Sequence, residues 1–164
     1  HNMPIHGKEG SKGCPGSREV SFANTTPSFR VDTNTPATSA LRQWPVQLHL
    51  LNPQAGYFKS ADVVLAADCV AFSYANFHQK FLAGKTLAIA CPKLDSNKEI
   101  YVEKLQSMIE ESLINTLTVI IMEVPCCGGL LSLASKAVSQ SNRKIPMKLI
   151  VVSIKGEILK EEWV

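Results

Sequence analysis

Five cysteines hold most of the chemistry available to this chain: Cys14, Cys69, Cys91 and the adjacent pair Cys126 and Cys127. A thiolate is both a nucleophile and a soft metal ligand. An odd number argues against a disulfide framework in a reducing compartment, which leaves metal binding, catalysis or inert burial. Four of the five share one landmark. Cys69 follows Val63-Val64-Leu65-Ala66-Ala67-Asp68, Cys91 follows Leu87-Ala88-Ile89-Ala90, and Cys126-Cys127 follow Ile120-Ile121-Met122-Glu123-Val124-Pro125. Separations of 22 and 35 residues are too long for a linear metal motif, but each equals one strand-helix unit. If the apolar runs are strands of a parallel sheet, their carboxyl ends share one edge, where open α/β sheets place ligands. The cysteines then converge, and inert packing as small hydrophobes becomes the weaker reading.

The elements that must position them are legible as alternating patterns. Five short apolar runs, Val46 to Leu50, Asp62 to Ala67, Thr86 to Ala90, Leu117 to Val124 and Met147 to Ile154, are nearly continuous in Val, Ile, Leu and Ala, as expected of strands covered on both faces. Between them, Val70 to Ala83 has helical spacing and ends at Gly84, and Ser96 to Leu113 opens with a Ser96-to-Glu99 capping box. Cys127 to Gln140 repeats Leu130, Leu133, Ala134, Ala137 and Val138. Strand and helix in alternation predict an α/β, three-layer, Rossmann-like domain with a parallel sheet of about five strands over residues 41–164. Residues 1–40 hold many Gly, Pro, Ser, Thr and Asn without a period and are expected to be a flexible tail carrying Cys14.

Local residues refine the thiol site. Pro92 and Pro125 stop strands, and Gly128-Gly129 would let backbone approach a bulky ligand. Cys126 and Cys127 precede a helix, where free amides and the helix dipole are expected to stabilise thiolate. Cys14, in Gly13-Cys14-Pro15-Gly16-Ser17, could fold over the site as a further ligand. The candidate metal or cofactor ligands are therefore Cys14, Cys69, Cys91, Cys126 and Cys127, with the adjacent pair not required to bind together. Asp68 and Asp95 lie at the same edge as candidates for proton transfer or helix capping, and Lys93 could face an anionic group. His49 and His78 are better read as structural histidines. Zinc sites commonly use short CxxC pairs, which are absent here, whereas iron-sulfur clusters accept cysteines dispersed among loops. An iron-sulfur cluster, of the 4Fe-4S or an unusual type, is the favoured cofactor and zinc the alternative.

Composition bounds the rest. A chain of 164 residues with 45% hydrophobic content suits one buried core better than two domains. No apolar run reaches the roughly 20 residues of a membrane span, and the glycine-rich start lacks the apolar stretch of a secretory leader, so a cytoplasmic location is expected. Seventeen basic side chains against fourteen acidic ones, without a basic-aromatic cluster, argue against nucleic acid as a partner. No GxGxxG or GxxxxGK[ST] loop marks a nucleotide site.

The stretches Gly13-Cys14-Pro15-Gly16-Ser17, Leu41-Arg42-Gln43-Trp44-Pro45-Val46-Gln47-Leu48, Ala66-Ala67-Asp68-Cys69-Val70, Cys91-Pro92-Lys93-Leu94-Asp95 and Glu123-Val124-Pro125-Cys126-Cys127-Gly128-Gly129 together resemble a family of ferredoxin-like, iron-sulfur cluster-binding proteins of anaerobic bacteria and archaea. Many members carry two ferredoxin-type CxxCxxC segments before the first of these stretches, and this sequence has none. The Cys-Cys-Gly stretch is also similar to cysteine-rich motifs of heterodisulfide reductase subunits. The resemblance implies an iron-sulfur context, with a ferredoxin or oxidoreductase as redox partner. Three functions follow as expectations: electron transfer or redox chemistry at a cluster, an enzyme with an open-site cluster, or a zinc-binding or thiol-based sensor. A homodimer is compatible with each.

Overall fold

Gln43 and Trp44 form a two-residue strand, β2 (Gln43–Trp44), that pairs antiparallel with β1 (Val20–Ser21), so part of the N-terminal stretch is paired with the domain. The structure is a computed structural model and describes residues 19–21 and 36–164. The main sheet contains β3 (Asp62–Ala67), β4 (Thr86–Ala90), β5 (Thr116–Met122), β6 (Met147–Val152) and β7 (Ile158–Trp163) in the order β4-β3-β5-β6-β7. The first four are parallel and β7 is antiparallel to β6.

Burial explains the composition of the parallel strands. Val63 through Ala67 and Leu117 through Met122 are buried without a break, because β3 and β5 are interior strands covered on both faces. Helix α2 (Glu99–Glu110) buries Tyr101, Val102, Leu105, Met108 and Ile109, and helix α3 (Gly128–Gln140) buries Leu130, Ala134 and Ala137 at helical spacing. The two helices pack on one another over the sheet. Helix α1 (Val70–Ser73) belongs to the β3–β4 connection, which runs across the sheet in the opposite sense, so the right-handed crossover rule assigns it to the other face. Three layers result, as the alternating pattern predicts.

The sheet's membership differs from the sequence reading at both edges. Val46 to Leu50, expected as a strand, makes one parallel bridge, Gln47 with Ile89, and then turns through Gln47–Leu51. It nevertheless covers the outer edge of β4: Ile89 N–H donates to the Val46 carbonyl at 2.8 Å, and Leu48 N–H donates to the Ile89 carbonyl at 2.9 Å. Buried Gln43 completes the cover by donating to the Leu87 carbonyl at 2.6 Å and accepting from the Leu87 N–H at 3.3 Å. These bonds satisfy an edge that would otherwise be open for pairing. At the opposite edge, β7 is a strand that the apolar-run criterion missed, because its Ile-Leu-Lys-Glu-Glu-Trp sequence faces solvent almost throughout. A Lys148–Glu161 ion pair of 2.5 Å and Lys148 lying 5.5 Å from the Trp163 ring tie it to β6.

The stretch Val70 to Ala83 is also not one helix. After α1, Tyr74 is extended, and the chain resumes helical winding only as a wide π turn over His78–Leu82 before Gly84 at φ +80°. The turn between β6 and β7 occupies the space beyond α1: a Cβ on Gly156 would lie 2.4 Å from the Ser73 carbonyl oxygen and within 4.0 Å of Tyr74 Cα. The Ser96–Glu99 capping box does not form either. Helix α2 starts after Lys98 without a side-chain cap, and the Ser96 carbonyl instead bonds His49 Nε2 at 2.8 Å.

Gly156 has φ +84° as well as this contact, so both backbone strain and a steric clash oppose a side chain there. Gly156→Ala is expected to destabilise the domain by about 1–3 kcal/mol. Urea unfolding followed by far-UV circular dichroism checks this, with a lowered midpoint and unchanged slope as the expected result.

Candidate metal centre

In-register parallel pairing aligns the ends of β3, β4 and β5. Ala67 pairs with Ala90 and Ala66 with Ile120, so the residues that follow all emerge at one edge. The chain leaves β3 towards β4 on one side and leaves β5 towards β6 on the other, which makes the space between the carboxyl ends of β3 and β5 the topological switch point. Cys69 follows β3 as the residue before α1, and Cys126 and Cys127 follow β5 in a short 3₁₀ turn, Pro125–Cys127, that leads into α3. Cys91 lies directly after β4. Four expected site cysteines therefore share one edge, while Cys14 lies outside the described residues.

The thiols are free but differ in access: Cys69 and Cys126 are exposed, Cys91 is half-buried and Cys127 is buried. Burial pushes the Cys127 thiol up from its ordinary pKa; a main-chain hydrogen bond from Met122 opposes the shift, and negative charge on Cys126, Cys69 and Cys91 adds to it. Cys127 is thus the thiol that feels each of the other three. The expectation that the helix start would stabilise a Cys127 thiolate is thus corrected, since desolvation outweighs the amides. Among the described residues, no three His, Cys, Asp or Glu side chains are gathered tightly enough to hold a single metal ion.

The loop after β4 is a rigid strut. Asp95 Oδ2 accepts from the Cys91 N–H at 2.9 Å and from the Tyr101 hydroxyl, while Asp95 N–H donates to the Cys91 carbonyl at 3.0 Å. Tyr101 is fully buried, and burial together with Asp95 pushes its pKa up, which keeps the hydroxyl a donor. The His49 ring packs against it at 4.4 Å. Lys98 Nζ donates to the Pro92 carbonyl at 2.9 Å. Asp95 is therefore neither a helix cap nor a free carboxylate; it fixes the backbone that carries Cys91.

Asp68 behaves differently. Burial raises its pKa first, the Asp95 charge raises it further, and a hydrogen bond from Gln47 Nε2 at 3.5 Å works in the opposite direction. Gln47 and Tyr101 were not singled out by sequence reasoning, because a glutamine in a short apolar run and a tyrosine at helical spacing carry no chemical signature. Lys93 is exposed, and His78 Nδ1 accepts from Ala40 N–H at 3.0 Å, a structural role like that of His49.

Gly128 and Gly129 have separate reasons. A Cβ on Gly129 would lie 3.2 Å from Pro92 Cβ, so this glycine allows the Cys91 loop to close on the start of α3; a Cβ on Gly128 would meet nothing within 4 Å. The close approach at Gly129 is thus to Pro92, not to open space for a ligand.

Alkylation by iodoacetamide at pH 8, quantified by peptide mass spectrometry, is expected to label Cys69 and Cys126 first, Cys91 more slowly and Cys127 last. Exposure sets this order, and the upward shift of the buried Cys127 thiol reinforces its last place. In urea the differences should vanish.

Comparison with known proteins agrees with this architecture. Over 118 residues the chain is 29% identical to an uncharacterized protein of Archaeoglobus fulgidus, covering 72% of this chain and 82% of that protein. No solved structure matches the chain. Residues 55–164, which contain the whole five-stranded sheet and four of the five cysteines, match the Rossmann-like domain family, and the chain belongs to that family.

Proposed function

We propose that this protein binds an iron-sulfur cluster at the carboxyl edge of its sheet and acts in electron transfer or redox chemistry. The observation that carries the reading is the arrival of four free thiols from three successive strand ends at one sheet edge beside the switch point. A cluster, when bound, supplies one-electron chemistry whose potential depends on hydrogen bonds and solvent access at the sulfurs.

The donor set fits such a group in chemical type. Cys69, Cys91 and Cys126 are the ligands of choice, because they are at least partly accessible and follow three different strands. Cys127 stands behind them, buried, with a thiol that resists ionisation, so of the adjacent pair it is the spare. Three chain ligands would leave one position for Cys14 or for a substrate, which is the difference between an electron carrier and an enzyme with an open site. A lone zinc ion needs sulfurs about 2.3 Å from one point, a tighter group than the described residues form, so zinc is the second reading.

The protein's own contribution is placement. The Asp95–Tyr101 strut fixes Cys91, and the Pro92–Gly129 contact sets the distance between its loop and the start of α3. Phe72 in α1, Leu94 after β4 and Ile154 after β6 are 93%, 84% and 65% exposed, which suits a redox partner protein docking over this edge.

Anaerobic reconstitution with iron and sulfide tests the ligand set. Wild-type protein is expected to turn brown, with visible absorption and stoichiometric iron. Serine in place of Cys69, Cys91 or Cys126 should lower bound iron at least severalfold, whereas Cys127→Ser should retain it. Wild-type protein that stays colourless, or a Cys127→Ser variant as empty as the others, would count against the assignment.

A further inference from the structure

A half-open cavity adjoins the thiol edge. Pro92, Lys98, Gly129, Ser132, Leu133 and Lys136 line about 240 Å³ of half-open space between the loop after β4 and α3. Two of the six lining residues carry an ammonium group, and none carries a carboxylate. Lys98 commits one proton to the Pro92 carbonyl at 2.9 Å and keeps two donors. The Lys136 ammonium has no hydrogen-bond or ion-pair partner among the described residues. Two like charges held at one small cavity leave a positive field that a bound anion would neutralise. Pro92 and Leu133 supply apolar wall, so bare charge is not all the cavity offers. The volume lies below the usual range for drug-sized ligands, so the part of an occupant that it holds is small.

We infer that this cavity binds a small organic anion, a carboxylate or phosphate ester with a short apolar body, through Lys98 and Lys136. Pro92 is the residue after Cys91, and Gly129 is the second residue after Cys127, so the occupant is a neighbour of the thiols. Its role as substrate rests on the redox reading above; its binding does not, because none of the cysteines lines the cavity.

Amide chemical shifts of the full-length, metal-free, reduced protein test the inference during titration with isobutyrate and, separately, methyl phosphate, against sodium chloride at matched ionic strength. Saturable shifts at Gly129, Ser132 and Lys136 with either organic anion are expected, and which of the two saturates assigns the head group. Lys136→Gln should weaken binding about tenfold or more, as loss of a charged hydrogen-bond donor does. Glutamine is a good helix former at this exposed site, so the fold should persist. Lys59→Gln, remote from the cavity, should bind as wild type. Shifts that stay linear for both anions, that sodium chloride reproduces, or that Lys136→Gln leaves unchanged would overturn the proposal. Cluster binding can fail while this test succeeds, and the reverse, so the two readings are separable.

Discussion

Register between parallel strands is the constraint on which the rest depends. The pairs Ala67 with Ala90 and Ala66 with Ile120 bring three strand ends to one level, and every chemical feature of the edge follows from that alignment. A shift of one residue in β4 would exchange the side chains of its two covered faces and displace Cys91 from its neighbours. The bonds from Gln43, Val46 and Leu48 to Leu87 and Ile89 therefore do two things. They close an exposed edge, and they anchor β4 from outside in the register that β3 sets from inside.

The same edge shows how one fold separates rigid from accessible groups. Cys91 is carried by a loop braced at both carbonyl and amide by Asp95, itself tied to a buried tyrosine. Cys69 and Cys126 are exposed on short turns, where a ligand or partner can reach them. Cys127 has been drawn into the core, and its desolvation outweighs the helix start. Two adjacent cysteines thus have opposite physical characters, a distinction that residue type alone does not contain. On the far side, the Gly156 turn packs against Ser73, so the β6–β7 hairpin buttresses the segment just after Cys69.

Much of this was legible in the sequence where a single physical cause dominated. Parallel strands covered on both faces must be apolar on both, so Asp62 to Ala67, Thr86 to Ala90 and Leu117 to Val124, whose strand ends at Met122, were readable, and with them the location of the cysteines. Reading failed where tertiary contacts overrode local pattern. Val46 to Leu50 resembles a strand yet serves as an edge cover with one bridge, and β7 is polar because it faces water. Helical spacing in Val70 to Ala83 was real, but the Gly156 turn occupies the continuation of α1. In the site, Asp95 and Asp68 were visible as carboxylates at the edge, whereas their partners Tyr101 and Gln47 were not, since both are set by three-dimensional packing.

The central claim concerns what the thiols hold, and iron K-edge X-ray absorption on anaerobically purified protein addresses it directly. The account predicts a first shell made of sulfur, with a second shell of iron from a multinuclear cluster. A first shell of oxygen or nitrogen, or a protein that carries zinc and no iron, would contradict it.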